Sequence, residues 1–472
     1  MDMDRKLVEK RIERLDELLH DSGNMVDKVF ETLQSSSVAE TLAEALPEFV
    51  ADKILNEEGK IELPENAREK LGKILDKITK NEELTGLLDG IKKRRAPRLL
   101  VAGEQGIGKS SLINALLGEY AVEVGEEHGA QTLEPETTVI TDAGEKVLEV
   151  MDTRGLKDYS KKEETVALDQ LLADIDEFRP DAVLFVNHAK REANLQDSIG
   201  VMKQILARAG EVPLLTVLNR TDQLAKKSKG QPDFTSDLTL ERIDDAVEKV
   251  SDKFAENDLE VEYIAAVCSY IEWDEQKRYI DYDRRYGIEE LYEYLTDNIE
   301  FEAALNLNLY KRVDRVLMQI CHRLSLAFAA AGVTVGATHA IPFSDMYLLL
   351  PLEIILVLMV AYLSGRKMEL ESAKEFINAL GITGGLAYFS KLTFQQLAKF
   401  IPGAGTAVGA SVAGGGVYAI GMVSGLYFIK GVNTDLLPLV KAIAGWYKGK
   451  SEEEEGKPVE SADMPDEIKE QI

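Results

Sequence analysis

The middle of the chain alternates short apolar runs with longer stretches of helical spacing. The apolar runs end in glycine or polar residues and are, in chain order, RLLVAG, VLEVMDTRG, AVLFVNH, LLTVLN and VEYIAAVCS. Helical periodicity marks 165–178, 194–209, 240–255 and 287–298. Strands that alternate with helices form a parallel sheet covered on both faces. The pattern therefore predicts an α/β domain over about 96–300, with an insertion or mobile loop at 225–239.

Helical regions are predicted on both sides of this domain. Residues 1–95 place apolar side chains three to five positions apart, with further helical stretches at 37–56 and 66–94. Residues 301–450 are apolar and helical. The tail, 451–472, holds nine acidic residues against two lysines and is predicted to be disordered.

Composition narrows the class of partner. The 472 residues include 55 Lys and Arg against 83 Asp and Glu, a formal net charge of −28. Nucleic-acid binding depends on a basic surface, so no nucleic-acid partner is expected. Cys268 and Cys321 are too few for a disulfide framework. The charged N-terminal segment also lacks the apolar core of a signal peptide, so we expect a cytoplasmic setting.

One segment matches a phosphate-binding motif. The run GEQGIGKS fits G-x-x-x-x-G-K-[ST], follows an apolar strand and opens a helix. Glycines allow backbone N–H groups to converge on phosphate oxygens, and the helix N-terminus adds its positive end. Lys109 should reach the β- and γ-phosphates, and the Ser110 hydroxyl should bind Mg²⁺. The nucleotide-binding residues predicted here are Gly103, Glu104, Gly106, Ile107, Gly108, Lys109, Ser110 and Ser111.

A second motif indicates which base is bound. Asn219-Arg-Thr-Asp222 ends the apolar run LLTVLN. The Asp222 carboxylate can accept from the N1–H and the N2 amino group of guanine, a donor pair that adenine lacks. Arg220 can stack its planar guanidinium on the base. Asn219, Arg220 and Asp222 are therefore predicted to bind guanine.

The order of the segments GEQGIGKSS, PETT, DTRG, NRTD and CS resembles the Era/dynamin branch of P-loop GTPases over about 200 residues. The resemblance implies GTP as substrate, GDP as product, Mg²⁺ as cofactor, and a switch that orders on the γ-phosphate and relaxes after hydrolysis. The resemblance adds further residues to the site. Asp152 is expected to bind Mg²⁺ through water, and the Gly155 N–H is expected to contact the γ-phosphate. Thr138, with Thr137 as second choice, is expected to cap Mg²⁺, and Cys268 and Ser269 are expected to lie at the guanine O6.

The resemblance also indicates which residue orients the attacking water. Ras-like GTPases carry a Gln directly after D-x-x-G, where this chain has Leu156. Gln105 is the third residue of the loop, where dynamins carry a catalytic Gln that acts when two G domains pair face to face. Gln105, Lys109 and Thr138 are thus the catalytic candidates, and a homodimer through the G domain is expected. Arg154 stays open between an arginine finger and a surface residue.

Charges are scarce in the C-terminal region, with only ten among the 106 residues of 324–429. Two apolar stretches, 324–341 and 346–363, are long enough for a membrane hairpin. Arg323 and Arg366-Lys367 flank the pair, which predicts that both ends face the cytosol.

A third apolar stretch, 401–429, carries no charge, and Gly414–Gly416 favour its division into a re-entrant pair. The alternative is a soluble helical core, which Asp345 and Glu353 favour because acids within a membrane are costly. Over about 120 residues the region resembles an uncharacterised hydrophobic domain fused to bacterial Era-like GTPases.

The sequence therefore predicts a P-loop GTPase domain flanked by helical regions, acting as a membrane-associated switch at the cytoplasmic face of the inner membrane. Turnover is expected to be slow, or activated by dimerisation or a partner, and membrane lipids are expected partners. The alternative is a non-catalytic GTP-binding scaffold. An Era-like ribosome-assembly role is disfavoured, because the acidic chain lacks a basic RNA-binding module.

Overall fold

The computed structural model describes residues 5–20, 66–123, 136–142, 144–153, 155–159, 165–190, 195–338, 346–367, 369–380, 406–434 and 436–453. The chain divides into two compact units. One comprises Lys93–Lys311, and the other, the helical unit, joins the chain ends Met1–Lys92 and Arg312–Ile472. The predicted helix at 37–56, the acidic tail beyond residue 453 and Arg154 lie outside the described residues.

The helices are numbered along the described chain. They are α1 Arg5–His20, α2 Ala67–Thr79, α3 Glu82–Lys92, α4 Lys109–Leu117, α5 Leu156–Tyr159, α6 Thr165–Phe178, α7 Leu195–Ala209, α8 Asp237–Glu256, α9 Ile288–Asn298, α10 Phe301–Lys311, α11 Val313–Thr338, α12 Met346–Leu363, α13 Leu370–Ala379, α14 Thr406–Phe428 and α15 Leu436–Glu453. α4 to α10 belong to the central unit, and the others belong to the helical unit.

The central unit is built on a six-stranded sheet. Its strands and those of two small hairpins are β1 Arg98–Gly103, β2 Glu136–Asp142, β3 Glu145–Asp152, β4 Ala182–His188, β5 Leu214–Asn219, β6 Lys226–Ser228, β7 Gln231–Asp233, β8 Ile264–Ala266, β9 Ile271–Trp273 and β10 Ile280–Asp283. The sheet order is β2-β3-β1-β4-β5-β8, parallel except for the antiparallel pair β2–β3. The prediction of a mostly parallel sheet is confirmed.

Side chains of β1 alternate between the two faces of the sheet. Leu99 and Val101 pack with α4, α9 and α10, while Leu100 and Ala102 pack with α6, α7 and α8 on the opposite face. Because helices cover both faces, the central strands are apolar at successive positions instead of every second one. The phosphate loop and the base motif follow two of these buried strands, β1 and β5.

The central unit ends at Lys311 and not at the predicted residue 300. Leu307 of α10 packs in the core beneath the sheet, and Asn306 Nδ2 donates to the backbone carbonyl of Val147 in β3 (3.1 Å). The sequence pattern places this boundary too early, because α10 is a helix rich in apolar residues and lies directly before the apolar α11.

Two hairpins stand outside the main sheet. β6 and β7 pair antiparallel within 225–239. This segment, predicted to be an insertion or a mobile loop, therefore forms a hairpin. β9 and β10 form a second antiparallel hairpin directly after the segment CS. Strands of three or four residues offer too few positions for an alternating pattern to register, so the sequence predicts neither hairpin.

In the helical unit, α12 lies at the centre. It packs against α1, α2, α11, α13 and α14, and within 351–363 every residue is buried except the half-buried Tyr362. α12 has the predicted bounds, whereas α11 begins at Val313, before the predicted residue 324. Among the described residues, one stretch, Val313–Thr334, is long and apolar enough to cross a membrane, and most of it is buried.

α1 holds the end of α12. Ile12 and Leu15 bury their side chains, as their spacing predicts. On the same helix, Arg11 donates to the backbone carbonyls of Tyr362 (2.6 Å) and Gly365 (3.0 Å). A helix C-terminus favours a cation because its last carbonyls lack intrahelical partners. Arg11 therefore caps α12 from a helix distant in sequence.

α14 continues through Gly414–Gly416, so the predicted break there is wrong. Its glycines serve close packing against α11. A Cβ built on Gly421 would lie 2.2 Å from Ser325 Oγ, and one on Gly425 would lie 2.6 Å from Cys321 Sγ. Tertiary contact thus outweighs the low helix propensity of glycine.

Replacing Gly421 with alanine is expected to destabilise the helical unit by about 1–3 kcal/mol, because the added methyl overpacks a filled interface. Gly416→Ala is the matched control: nothing lies within 4 Å of its added Cβ, and alanine favours a helix by about 0.5–1 kcal/mol. Urea unfolding followed by Trp446 fluorescence, in a Trp273→Phe background, measures both changes. Equal stability of the two variants would contradict the α11–α14 packing.

Candidate nucleotide-binding site

The phosphate loop joins the end of β1 to the start of α4. Gly106 and Gly108 have φ of 72° and 93°, in the left-handed region that favours glycine. A Cβ on Gly103 would lie 2.3 Å from the Val186 carbonyl oxygen, and one on Gly108 would lie 2.7 Å from Asn219 Nδ2. The loop therefore needs these glycines for its backbone shape and for close contacts to β4 and β5.

Lys109 lies at the centre of the loop. Its side chain is 10% exposed, and Nζ lies 3.4 Å from the Gly103 carbonyl oxygen, 3.3 Å from that of Glu104 and 3.5 Å from Asp152 Oδ1. Three oxygen atoms thus surround an ammonium group at the N-terminus of α4. Phosphate oxygens placed there would meet this charge together with the helix N–H groups.

The other side chains of the loop have different surroundings. Ile107 is buried in the core, so only its backbone can serve a ligand. Glu104 accepts a hydrogen bond from Ser198 Oγ on α7 (2.7 Å), a contact that no sequence motif indicates. Gln105 is exposed at the loop tip, and Ser111 is half-buried on α4.

Two of the predicted metal ligands, Thr138 and Asp152, lie on the same face of the β2–β3 pair, and the residue directly opposite Asp152 is Glu136. Thr138 pairs with Val150 and Thr137 with Met151 in the β2–β3 register, which places Thr138 on the same face as Asp152. Ser110 opens α4 beside Lys109. Hydroxyl and carboxylate oxygens are the donors that Mg²⁺ prefers, so these residues fit that ion. The described part of the chain holds no cluster of three or more His, Cys, Asp or Glu that could hold a metal by itself.

The segment after β3 turns back into the core. Gly155 is buried, and Leu156 at the start of α5 is fully buried against α6 and α7. The position directly after D-x-x-G is therefore a packing position in this fold. Its side chain cannot reach a water molecule at the phosphates.

Asn219 connects the phosphate loop to both base segments. Its Nδ2 donates to the Ile107 carbonyl oxygen (3.0 Å), and its Oδ1 accepts from the backbone N–H of Arg220 (2.8 Å) and from Ser269 Oγ (3.0 Å). Asn219 is almost fully buried. The structure therefore brings together three motifs that lie far apart in sequence.

Arg220 is directed toward the phosphate loop. It adopts a left-handed backbone conformation (φ 66°), and its Nη2 donates to the Gly106 carbonyl oxygen (2.6 Å). Its guanidinium thus binds a loop carbonyl, whereas the sequence suggested stacking on the base. The planar guanidinium of Arg220 is a hydrogen-bond donor, and the Gly106 carbonyl gives it a hydrogen bond that stacking on a base would not provide.

Asp222 and Cys268 form the outer part of the base site. Asp222 is half-buried in a 3-10 turn, Thr221–Gln223, whose first backbone N–H donates to the Val267 carbonyl oxygen (3.1 Å). Burial raises the pKa of the Cys268 thiol to about 11, so the thiol stays protonated at neutral pH. A carboxylate acceptor and a neutral thiol suit an uncharged base.

The sequence of the central unit matches a known family: residues 98–220 correspond to the family described as 50S ribosome-binding GTPase. The central unit is a P-loop GTPase domain. Its mixed sheet and its flanking helical regions agree with the fold predicted from the motifs.

The chain is also similar to curated proteins over part of its length. The tRNA modification GTPase MnmE of Desulfitobacterium hafniense is 28% identical over 181 residues, 37% of this chain and 37% of that protein. The chain thus spans about a third of the length of the curated relatives that it matches. This homology supports GTP binding and GTP hydrolysis in general.

Two solved structures are also similar to the chain. Toc33 from Arabidopsis thaliana in complex with Mg²⁺ and GMPPNP is 16% identical, covering 53% of this chain and 96% of that one, with a TM-score of 0.29. Era in complex with MgGDPNP and nucleotides 1506–1542 of 16S ribosomal RNA is 13% identical, covering 50% and 68%, with a TM-score of 0.29. For this chain the expectation of no nucleic-acid partner stays a prediction.

Proposed function

We propose that this protein is a GTP-hydrolysing switch whose nucleotide state governs a membrane-associated helical unit at the cytoplasmic face of the inner membrane. The main support is the Asn219 junction, where one buried side chain holds the phosphate loop and both base segments. Such a junction orders phosphate and base contacts together. The contacts of the phosphates and of the base can then stabilise the same arrangement of the loops.

Each residue of the site has a separate proposed role. Lys109 neutralises charge on the β- and γ-phosphates, and Asp222 reads the guanine edge. Ser110, Asp152 and Thr138 are the residues that would hold Mg²⁺, an ion that, when bound, neutralises the phosphate oxygens. Ser110 would bind the ion directly, and Asp152 would bind it through water.

Gln105 is the residue that we propose orients the attacking water. It is exposed at the loop tip beside the phosphates, whereas Leu156 is in the core. An exposed glutamine is poorly fixed in a single chain. Pairing of two GTPase domains would bury and fix it, so hydrolysis is expected to depend on dimerisation.

Membrane association rests on the apolar composition of α11, α12 and α14, and on the basic Arg366 just after the end of α12. Arg323, the other predicted flanking residue, lies within α11. In the structure these helices are largely enclosed within the helical unit. Insertion into lipid therefore requires α1 to leave α12. Lipids with anionic headgroups are the expected partners.

Gln105→Ala is expected to lower GTP turnover about 100-fold, with GTP affinity changed less than about twofold, because the side chain acts only on the transition state. Gln204→Ala, at an exposed position on α7, is the matched control and should keep wild-type turnover. Phosphate release and equilibrium binding of labelled GTP give the two quantities. A variant that retains full turnover would remove Gln105 from the mechanism.

The second candidate is a non-catalytic GTP-binding scaffold with a soluble helical core. The burial of Leu156 and the enclosure of α12 by amphipathic helices favour it. Flotation with vesicles of phosphatidylethanolamine and phosphatidylglycerol separates the two. Flotation that depends on GTP supports the membrane switch, and a protein that neither floats nor hydrolyses GTP is a scaffold.

A further inference from the structure

Each base segment of the GTPase domain leads directly into one of the two hairpins. β6 begins four residues after Asp222, and β9 begins two residues after Ser269. The hairpins are thus extensions of the two loops that meet the guanine. Any contact between the hairpins constrains the distance between those loops.

The first contact between the hairpins centres on Gln231 of β7. Its Oε1 accepts from the Tyr282 hydroxyl (2.7 Å) and from Arg284 Nη2 (2.8 Å). The Arg284 guanidinium carbon lies 4.9 Å from the ring centre of Tyr270 and 5.1 Å from that of Tyr282. Two aromatic rings therefore hold the guanidinium in the orientation that Gln231 requires.

The network continues into the base segment itself. The backbone N–H of Arg284 donates to the carbonyl oxygen of Tyr270 (3.1 Å), and Tyr270 follows Ser269 directly. Arg284 also lies close enough to Asp222 for the two charges to interact. The cation is thus within electrostatic range of the carboxylate that is proposed to read guanine.

A second, independent contact joins the same hairpins at their bases. Phe234, directly after β7, stacks on Tyr286 with ring centres 4.4 Å apart and planes 7° from parallel. Tyr286 exchanges two backbone hydrogen bonds with Cys268 (2.9 and 3.1 Å). The hairpins are therefore joined at two points, one near and one far from the sheet.

We propose that Gln231 and Arg284 are positioning residues for guanine recognition. They join the hairpins into a brace that holds Asp222 and Ser269 at a fixed separation. Both act through the base loops and are not among the residues proposed to bind the nucleotide. The brace preorganises the base loops, so it sets how long the nucleotide stays bound and how strictly guanine is distinguished. This inference rests on the proposed function, since it assumes that Asp222 reads the base.

An isosteric pair at position 231 tests the brace in the full chain. Gln231→Leu removes the acceptor, whereas Gln231→Glu keeps an oxygen that accepts from both Tyr282 and Arg284. Gln231→Leu is expected to speed dissociation of labelled GDP by up to about tenfold, the effect of losing a neutral and a charge-assisted hydrogen bond at an exposed site. Gln231→Glu is expected to keep the wild-type rate.

Base discrimination is the readout that a merely structural role would not change. IDP lacks the 2-amino group that Asp222 accepts from, so the ratio of GDP to IDP affinity measures how well Asp222 is placed. Gln231→Leu should lower this ratio several-fold, and Arg284→Ala should do the same. The double variant should be no worse than either single one, because both remove one network. Lys227→Ala in the same hairpin is the control.

The outcomes distinguish the brace from the proposed function. If wild-type protein binds GDP no better than ADP, the proposed function itself fails. If wild-type protein discriminates and Gln231→Leu matches it in both rate and ratio, the brace is wrong. An equal loss of GDP and IDP affinity together with a lower melting temperature would also overturn the brace, because it indicates a role in folding alone.

Discussion

Lys109→Ala is expected to weaken GTP binding at least about 100-fold, because it removes a nearly buried ammonium whose bonds to phosphate oxygens are charge-assisted. The side chain is 10% exposed and lies among three oxygen atoms of the loop and of β3. Equilibrium titration with fluorescently labelled GTP measures the change.

The control for this change is Lys203→Ala on α7, which removes an equal charge from a surface helix. It should bind GTP as the wild type does. The melting temperature of nucleotide-free Lys109→Ala, compared with that of the wild type, shows whether the variant is folded. Unchanged affinity in a folded Lys109→Ala protein would overturn the assignment of the phosphate loop.

Asp222→Asn is expected to exchange guanine for xanthine specificity. The carboxylate accepts from two guanine donors, and an amide can accept only one and places a donor opposite the other. Loss of this pairing should lower GTP affinity about 100-fold or more, as for other sites that leave polar groups unpaired. Xanthine carries a carbonyl in place of the 2-amino group, so it can accept from the new amide. XTP affinity should therefore rise.

Competition of GTP, XTP and ATP against labelled GDP gives all three affinities in one experiment. Asp252→Asn, at an exposed position on α8, is the matched control and should leave the order of affinities unchanged. A variant that binds GTP normally and XTP no better than wild type would show that Asp222 does not contact the base.

The sheet of the GTPase domain follows closely from the sequence because its central strands are buried on both faces. The apolar runs of β1, β4 and β5 end within two residues of the ends of the strands. β2 lies at the edge of the sheet, and its exposed residues Thr137 and Val139 give no apolar run. The sequence of this edge strand, ETTVITD, therefore does not distinguish it from a loop.

The helices of the chain ends depend more on tertiary contact. Gly414–Gly416 indicate a break when each residue is judged by propensity alone. The close contact of Gly421 and Gly425 with α11 favours a continuous helix instead, and only the structure shows this contact. The end of the GTPase domain at Lys311 depends likewise on packing of α10 beneath the sheet.

The candidate site is likewise predicted in part by the sequence and in part only by the structure. Motifs predict Lys109, Ser110 and Asp222, because phosphate and guanine chemistry require those groups at those spacings. The role of Asn219 as a junction and the turn of Arg220 toward Gly106 depend on side-chain directions that spacing does not encode. The Gln231 network has no motif, since its members meet only when the two hairpins fold.

GTP turnover per molecule, measured against protein concentration with and without vesicles of phosphatidylethanolamine and phosphatidylglycerol, tests the switch most directly. We expect the rate to rise with concentration, because paired GTPase domains fix Gln105, and to rise further on vesicles that concentrate the protein. Gln105→Ala should remain low at every concentration. A wild-type rate that is independent of concentration and unchanged by vesicles would contradict a membrane switch driven by dimerisation.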